Sequence, residues 1–119
     1  MTEKNTIAVR DAAINDAILS GTAMEAFERY YADTIEMQEN DATPTIGKDA
    51  NRERETAFFG AITEFRGASL LETGIGENVT FSRWLYDYTH DEWGERRYHQ
   101  VVVRTWRDGL VIAERFYYG

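Results

Sequence analysis

Apolar residues at the start of the chain recur at helical spacing, with Ile7, Ile14, Ala17 and Ile18 on one face. Asn5 or Thr6 stands ready as a cap and Ser20-Gly21 as a stop, which predicts a first helix over about residues 6–20. Thr22 and Glu25 then have capping-box spacing, ahead of a short second helix whose stripe is Met24, Phe27, Tyr30 and Tyr31. Over residues 33–39 the period drops to two: Ile35 and Met37 point one way, Glu36 and Gln38 the other, as in a short strand. Asn40-Asp41-Ala42-Thr43-Pro44-Thr45 is turn chemistry and holds the only proline. A third helix follows from about Lys48 to near Thr63, with Ala50, Arg54, Ala57, Phe58, Ala61 and Ile62 predicted on its inner face.

From there to the C-terminus, β-branched and aromatic runs are broken by Gly74-Ile75-Gly76, by Asp91-Glu92-Trp93-Gly94-Glu95 and by Asp108-Gly109. They predict three or four long antiparallel strands near 66–76, 78–90, 96–107 and 110–118. The fold class is therefore α+β, with helices on one face of an antiparallel sheet. Asp108-Gly109 signals a two-residue type I′ hairpin, because both residues tolerate positive φ. It sets a register in which His99, Val101, Val103 and Thr105 share a face with Ile112, Glu114, Phe116 and Tyr118. That face is the more apolar and is expected to turn toward the helices. The opposite face carries Tyr98, Gln100, Val102, Arg104 and Trp106 with Val111, Ala113, Arg115 and Tyr117. A one-residue bulge would exchange half of this assignment. Along the preceding strand Ser82, Trp84, Tyr86, Tyr88 and His90 form an aromatic row that pairing across the 91–96 loop brings beside His99. A row of hydroxyl-bearing rings suits a lined cleft, and equally a core or a dimer interface.

The 119 residues show no repeat, linker or low-complexity stretch, so one domain over residues 1–119, with one core, is expected. Without cysteine there is no disulfide framework, thiolate zinc site or thiol nucleophile. Thirteen basic against 21 acidic residues give a net charge of -8, which opposes binding to nucleic acid. No apolar run approaches the roughly 20 residues that span a bilayer, and Met1-Thr2-Glu3-Lys4-Asn5 leads into a polar helix rather than a signal-peptide core. A cytoplasmic protein with no membrane partner is expected. His90 and His99 lack flanking ligands, and there is neither a Gly-x-Ser-x-Gly elbow nor a phosphate-cradling glycine loop. Hence no metal and no cofactor are expected.

Three strings lie in an order and spacing that resemble the nuclear transport factor 2-like superfamily, in particular its SnoaL-like polyketide-cyclase and ketosteroid-isomerase-like branches. They are Phe27-Glu28-Arg29-Tyr30-Tyr31-Ala32-Asp33, Pro44-Thr45-Ile46-Gly47-Lys48-Asp49-Ala50 and the run from Trp106-Arg107-Asp108-Gly109 through Glu114-Arg115-Phe116-Tyr117-Tyr118. The resemblance spans nearly the whole chain. It implies a cystatin-like cone, three N-terminal helices packed on a curved antiparallel sheet around an apolar pocket, often with a homodimer through the outer sheet face. It does not choose an activity, since the superfamily includes isomerases, cyclases, dehydratases, epoxide hydrolases and non-catalytic binders.

Counted without gaps from Tyr31-Ala32-Asp33, Glu39 falls where the steroid-isomerase branch keeps its proton-moving carboxylate. A Glu in an apolar cone has a raised pKa suited to a general base; the alternative is a solvated strand-end carboxylate. That branch's protonated aspartate is replaced here by Val103, and the first helix has no tyrosine, so steroid isomerisation lacks its oxyanion donors. His99 is a candidate proton shuttle oriented by Glu114 or Tyr88, or else a structural histidine bound to a tyrosine. Glu114 on the inward face demands a partner, and Arg104 or Arg66 would make it a structural ion pair. An epoxide-hydrolase-like relay of two inward carboxylates around one inward arginine is not offered by this register. The expected function is binding of a small apolar or aromatic metabolite in a pocket shaped by Tyr30, Met37, Phe58, Trp84, Tyr86, Tyr88, Val101, Val103 and Phe116. If the protein is an enzyme, Glu39, His99 and Glu114 are its acid–base candidates, for cofactor-free isomerase, cyclase or dehydratase chemistry. The alternative is a non-catalytic ligand-binding or dimerisation module whose outer face bears Tyr98, Val102, Trp106 and Tyr117.

Overall fold

In the computed structural model, which describes residues 3–119, three helices cover one face of a six-stranded sheet. Helix α1 (Glu3–Ser20) buries Ile7 and Ile14 on the predicted stripe, and with them Asp11 and Asn15. It ends at Gly21, whose φ of 81° is the left-handed stop that Ser20-Gly21 promised. Helix α2 (Ala23–Tyr30) follows, but the expected capping box does not form. The Thr22 hydroxyl turns back toward Ser20 and the Ala17 carbonyl, while the Thr22 carbonyl accepts from the amides of Glu25 and Ala26. Tyr31 leaves the helix and opens β1 (Tyr31–Glu39).

Strand β2 (Thr45–Ile46) forms where only turn chemistry was expected, pairing with Glu36 and Met37 of β1. Helix α3 (Lys48–Gly60) is rotated from its predicted face: Asn51 is fully buried and Arg54, Glu55 and Phe58 are half-buried, while Ala50 and Ala57 are exposed. The cause is a polar pin. Asn51 Nδ2 donates to the carbonyls of Ile35 at 3.2 Å and of Thr45 and Gly47 at 2.9 Å each, so the amide turns toward β1 and the alanines turn out.

Strands β3 (Ile62–Ile75), β4 (Val79–His90), β5 (Gly94–Arg107) and β6 (Leu110–Tyr117) run as a meander, and the sheet order is β2-β1-β6-β5-β4-β3. Neighbours are antiparallel except β1 and β6, which lie parallel, so the sheet is mixed rather than wholly antiparallel. Three register shifts between β3 and β4 add local bends to that side of the sheet.

The β5–β6 turn is as expected, with Asp108 at φ 53° and Gly109 at φ 78° and Arg107 opposite Leu110. A bulge then intervenes: Thr105 pairs with Ala113 and Trp106 with Val111, leaving Ile112 extra. The face assignment is corrected accordingly. Val102, Arg104 and Trp106 point inward together with Val111, Glu114 and Phe116, whereas His99, Val101, Val103 and Thr105 stand on the outer face. The inward choice buries the indole of Trp106 and the side chain of Val111 against Ile7, Ile14, Phe27, Tyr31, Ile35 and Met37, which form the apolar core between sheet and helices.

Candidate functional site

The inner face of β4, β5 and β6 carries a deep polar group and, nearer α3, an aromatic one. At the centre of the first is Arg104, 2% exposed. Its Nε donates to Glu114 Oε2 at 2.7 Å, and its Nη1 donates to Asp11 Oδ1 and Asn15 Oδ1 at 2.8 Å each. Asp11 and Asn15 share the α1 face of Ile7 and Ile14 because four residues make about one helical turn. Thr80 donates to Asp11 at 2.8 Å and Trp106 to Thr80 at 2.9 Å, while the Tyr31 hydroxyl donates to Glu114 Oε2. Burial works against the charge of Arg104, yet the carboxylates of Glu114 and Asp11 outweigh it and hold the guanidinium protonated. Burial first, and the negative charge of Glu114 second, lift the Tyr31 phenol well above its ordinary value, which makes it a fixed donor.

Glu114 therefore points inward as expected, with Arg104 as its partner; Arg66 pairs instead with Asp87 at 2.7 Å on the surface. One expectation is overturned. An inward arginine does sit between two inward carboxylates, Asp11 and Glu114, the first supplied by a helix that strand register alone cannot count.

The aromatic group is continuous. Trp84 stacks on Tyr86 with centroids 5.6 Å apart, Tyr86 packs on Tyr98 at 6.0 Å, and Tyr98 on Tyr118 at 5.5 Å. The hydroxyls of Tyr88 and Tyr98 are 2.7 Å apart, and Phe58 of α3 meets Tyr88 edge-on at 5.7 Å. Glu55 stands one turn before Phe58 with its side chain 18% exposed. Burial, and next the charge of Glu114, push its carboxyl up to about 7, with Arg54 pulling the other way. Burial likewise raises the Tyr86 phenol.

The sequence-predicted residues divide. Glu114, Met37, Trp84, Tyr86, Tyr88, Phe58 and Phe116 are on elements that face the interior. Glu39 is half-exposed at the end of β1, where Arg54 Nη2 lies 2.6 Å from its Oε2 and Tyr118 hydrogen-bonds to it. His99, Val101 and Val103 lie on the outer face, and His99 is exposed. Tyr30 packs beside the core with Arg10 and Arg29 over its ring, away from the tyrosine row. Glu55, Asp11 and Tyr31 went unrecognised as site residues. Asn51, Glu55 and Phe58 recur at i, i+4, i+7, a readable inner stripe once an asparagine is allowed to lead it. Among the described residues no group of three His, Asp or Glu is arranged to hold a metal ion.

Two hollows open on the surface, the second of them lined in part by Glu114. One of about 370 Å³ is bounded by Glu3, Lys4, Glu77 and Asn78. The other, of about 330 Å³, is on the outer sheet face among residues that include Glu36, Val103, Thr105, Arg115 and Tyr117.

No family model matches the chain, and no curated protein matches it. Solved structures do. A candidate SnoaL-like polyketide cyclase from Mesorhizobium loti superposes with a TM-score of 0.86 at 25% identity, over 99% of this chain and 100% of that one. A second candidate SnoaL-like polyketide cyclase, from Jannaschia sp. CCS1, gives 0.84 at 8% identity over 99% and 88% of the two chains. An LEH-like epoxide hydrolase from M. tuberculosis gives 0.79 at 11% identity over 99% and 86%. With three helices on a six-stranded mixed sheet, and with these neighbours matched nearly end to end, the chain has the fold of the nuclear transport factor 2-like proteins and is similar to SnoaL-like members of that group.

Proposed function

We propose that the protein binds a small hydrophobic or aromatic molecule between α3 and the inner sheet face and moves a proton on it without a cofactor. The observation that carries this reading is Glu55, a carboxyl group pushed up to about 7 and set beside Glu114. A base is most effective when its pKa lies near the working pH, because it is then both available and strong. Glu114 is engaged by Arg104 and Tyr31, whereas the ion-pair partner of Glu55, Arg54 Nη1, stands off at 3.5 Å. Asp11 is spent differently: Oδ1 accepts from Arg104 and Thr80 and Oδ2 from Asn15, which makes it a clamp on the arginine. The aromatic row, near-parallel at Trp84 and Tyr86 and tilted at Tyr98, supplies ring faces with hydroxyl edges, suited to a ring-bearing ligand. Glu39, tied to Arg54 at the strand end, serves at the rim.

The test is the base-induced ring opening of 5-nitrobenzisoxazole, in which a base removes the ring C–H proton as the N–O bond breaks and a coloured phenolate forms. The wild-type protein is expected to accelerate it, with a rate that rises with pH through about 7 as Glu55 ionises. Glu55→Gln is expected to lower that rate at least about tenfold, the low side of a general base's contribution. Equal rates for the two proteins, or no acceleration by the wild type, overturn the reading.

The outer face favours a second reading, a dimerisation surface. Phe81 and Tyr117 are 42% and 40% exposed there, beside the half-buried Val101 and Val103 and the hollow of about 330 Å³. Light scattering at micromolar concentration is expected to give twice the chain mass, and Tyr117→Asp to halve it; a wild-type monomer refutes the dimer.

A further inference from the structure

Among the described residues, Arg96 carries the arginine nitrogen that is buried without a hydrogen-bond partner. Arg52, Arg54, Arg66, Arg83, Arg104 and Arg115 each contact a carboxylate within 3 Å. Arg96 has no such partner among the described residues, and its Nε is buried without any hydrogen-bond acceptor. Leaving a charged donor dry and unpaired costs free energy, so an orphan of this kind calls for an acceptor that arrives from outside. The location says what that acceptor is attached to. Arg96 is an inward position of β5, and its guanidinium lies over the Tyr98 ring, 5.1 Å from the centroid. Tyr98 is in turn the hub of the aromatic group, in contact with Tyr86, Tyr88 and Tyr118.

We propose that Arg96 is the anchor for a carboxylate at one end of an aromatic ligand whose rings lie along Tyr98 and Tyr86 toward Glu55. This deepens the reading given above by naming its substrate class, an aromatic carboxylic acid, and rests on it. A guanidinium presents Nε–H and Nη–H as a planar fork that matches the two oxygens of a carboxylate, and the cation–π contact with Tyr98 restrains where that group sits. Arg96 and Tyr98 are successive inward positions, about 7 Å apart along the strand, the length of one aromatic ring with its substituent. The surrounding charges permit an anion. Glu39 is compensated by Arg54 at 2.6 Å, and Glu114 by Arg104 at 2.7 Å. The group the ligand approaches, Glu55, is about half neutral near pH 7.

Binding of 2-naphthoate and of the neutral, similarly shaped 2-naphthylmethanol, followed by tyrosine and tryptophan fluorescence, tests the proposal. The wild-type protein is expected to bind the naphthoate at least about tenfold more tightly, and Arg96→Met to bring the two probes to parity. Arg96→Lys keeps the charge and loses the fork; its preference is expected to fall at least threefold below that of the wild type, and it decides the matter if the methionine variant does not fold. A wild-type protein that binds the alcohol as tightly as the naphthoate, or an Arg96→Met protein that keeps the full preference, overturns the carboxylate anchor and leaves the hydrophobic site standing. Failure of the wild type to bind either probe overturns both.

Discussion

A carboxyl group that titrates near neutrality inside a protein works against the fold whenever it is charged. Glu55 is raised from 4.5 to about 7 in the native state, chiefly by burial, so between those values the folded chain holds a proton that the unfolded chain has lost. Stability linked to this residue is therefore full at pH below about 4.5, falls as pH rises, and reaches its lowest level above about 7. Glu55→Gln removes that dependence. Urea titrations at pH 5 and pH 8 are expected to show the variant gaining on the wild type at the higher pH, by up to about 3 kcal/mol. The same gap at both pH values would place the Glu55 carboxyl in the ordinary range and remove its claim to chemistry. This residue was hidden by its neighbours: the Ala50, Ala57 and Ala61 stripe drew the inner face of α3 about one position away, and a buried asparagine turned it back. Hydrophobic periodicity weighs apolar surface and is blind to an amide that satisfies three carbonyls at once.

The β5–β6 hairpin shows how far local chemistry reaches and where it stops. Asp108-Gly109 specified the turn, and both residues take the positive φ it needs. Gly109 also meets α1, because Arg10 Nη1 donates to its carbonyl at 2.6 Å and a Cβ there would fall 2.8 Å from the same nitrogen. Gly109→Ala is expected to destabilise the protein by about 1–2 kcal/mol, mostly through the φ of 78° and less through Arg10, whose flexible end can move. Thermal unfolding reads it; a variant as stable as the wild type would mean that the turn relaxes without cost. Five residues before Gly109 stands the inward Arg104, and three after it the bulged Ile112. The turn cannot announce that bulge. It is paid back only when Trp106 and Val111 reach the core and Arg104 reaches Glu114.

At the scale of the molecule, the order of the three helices and the long strands, the α+β class, the type I′ hairpin and the inward direction of Glu114 and Phe116 were legible in the sequence, while the short β2 was not. Each is a local property, since periodicity, caps and turn residues act over a few positions. Tertiary structure alone decided the parallel pairing of β1 with β6, the rotation of α3, and which side of β5 faces the helices. It also brought Asp11 to Arg104, 93 residues apart in the chain, and Tyr31 to Glu114, 83 apart. The physical reason is the same in each case. An amphipathic element states that it has an inner face, but both faces of β5 carry valines, and the choice between them falls to packing and hydrogen bonding supplied by residues most of a chain length away.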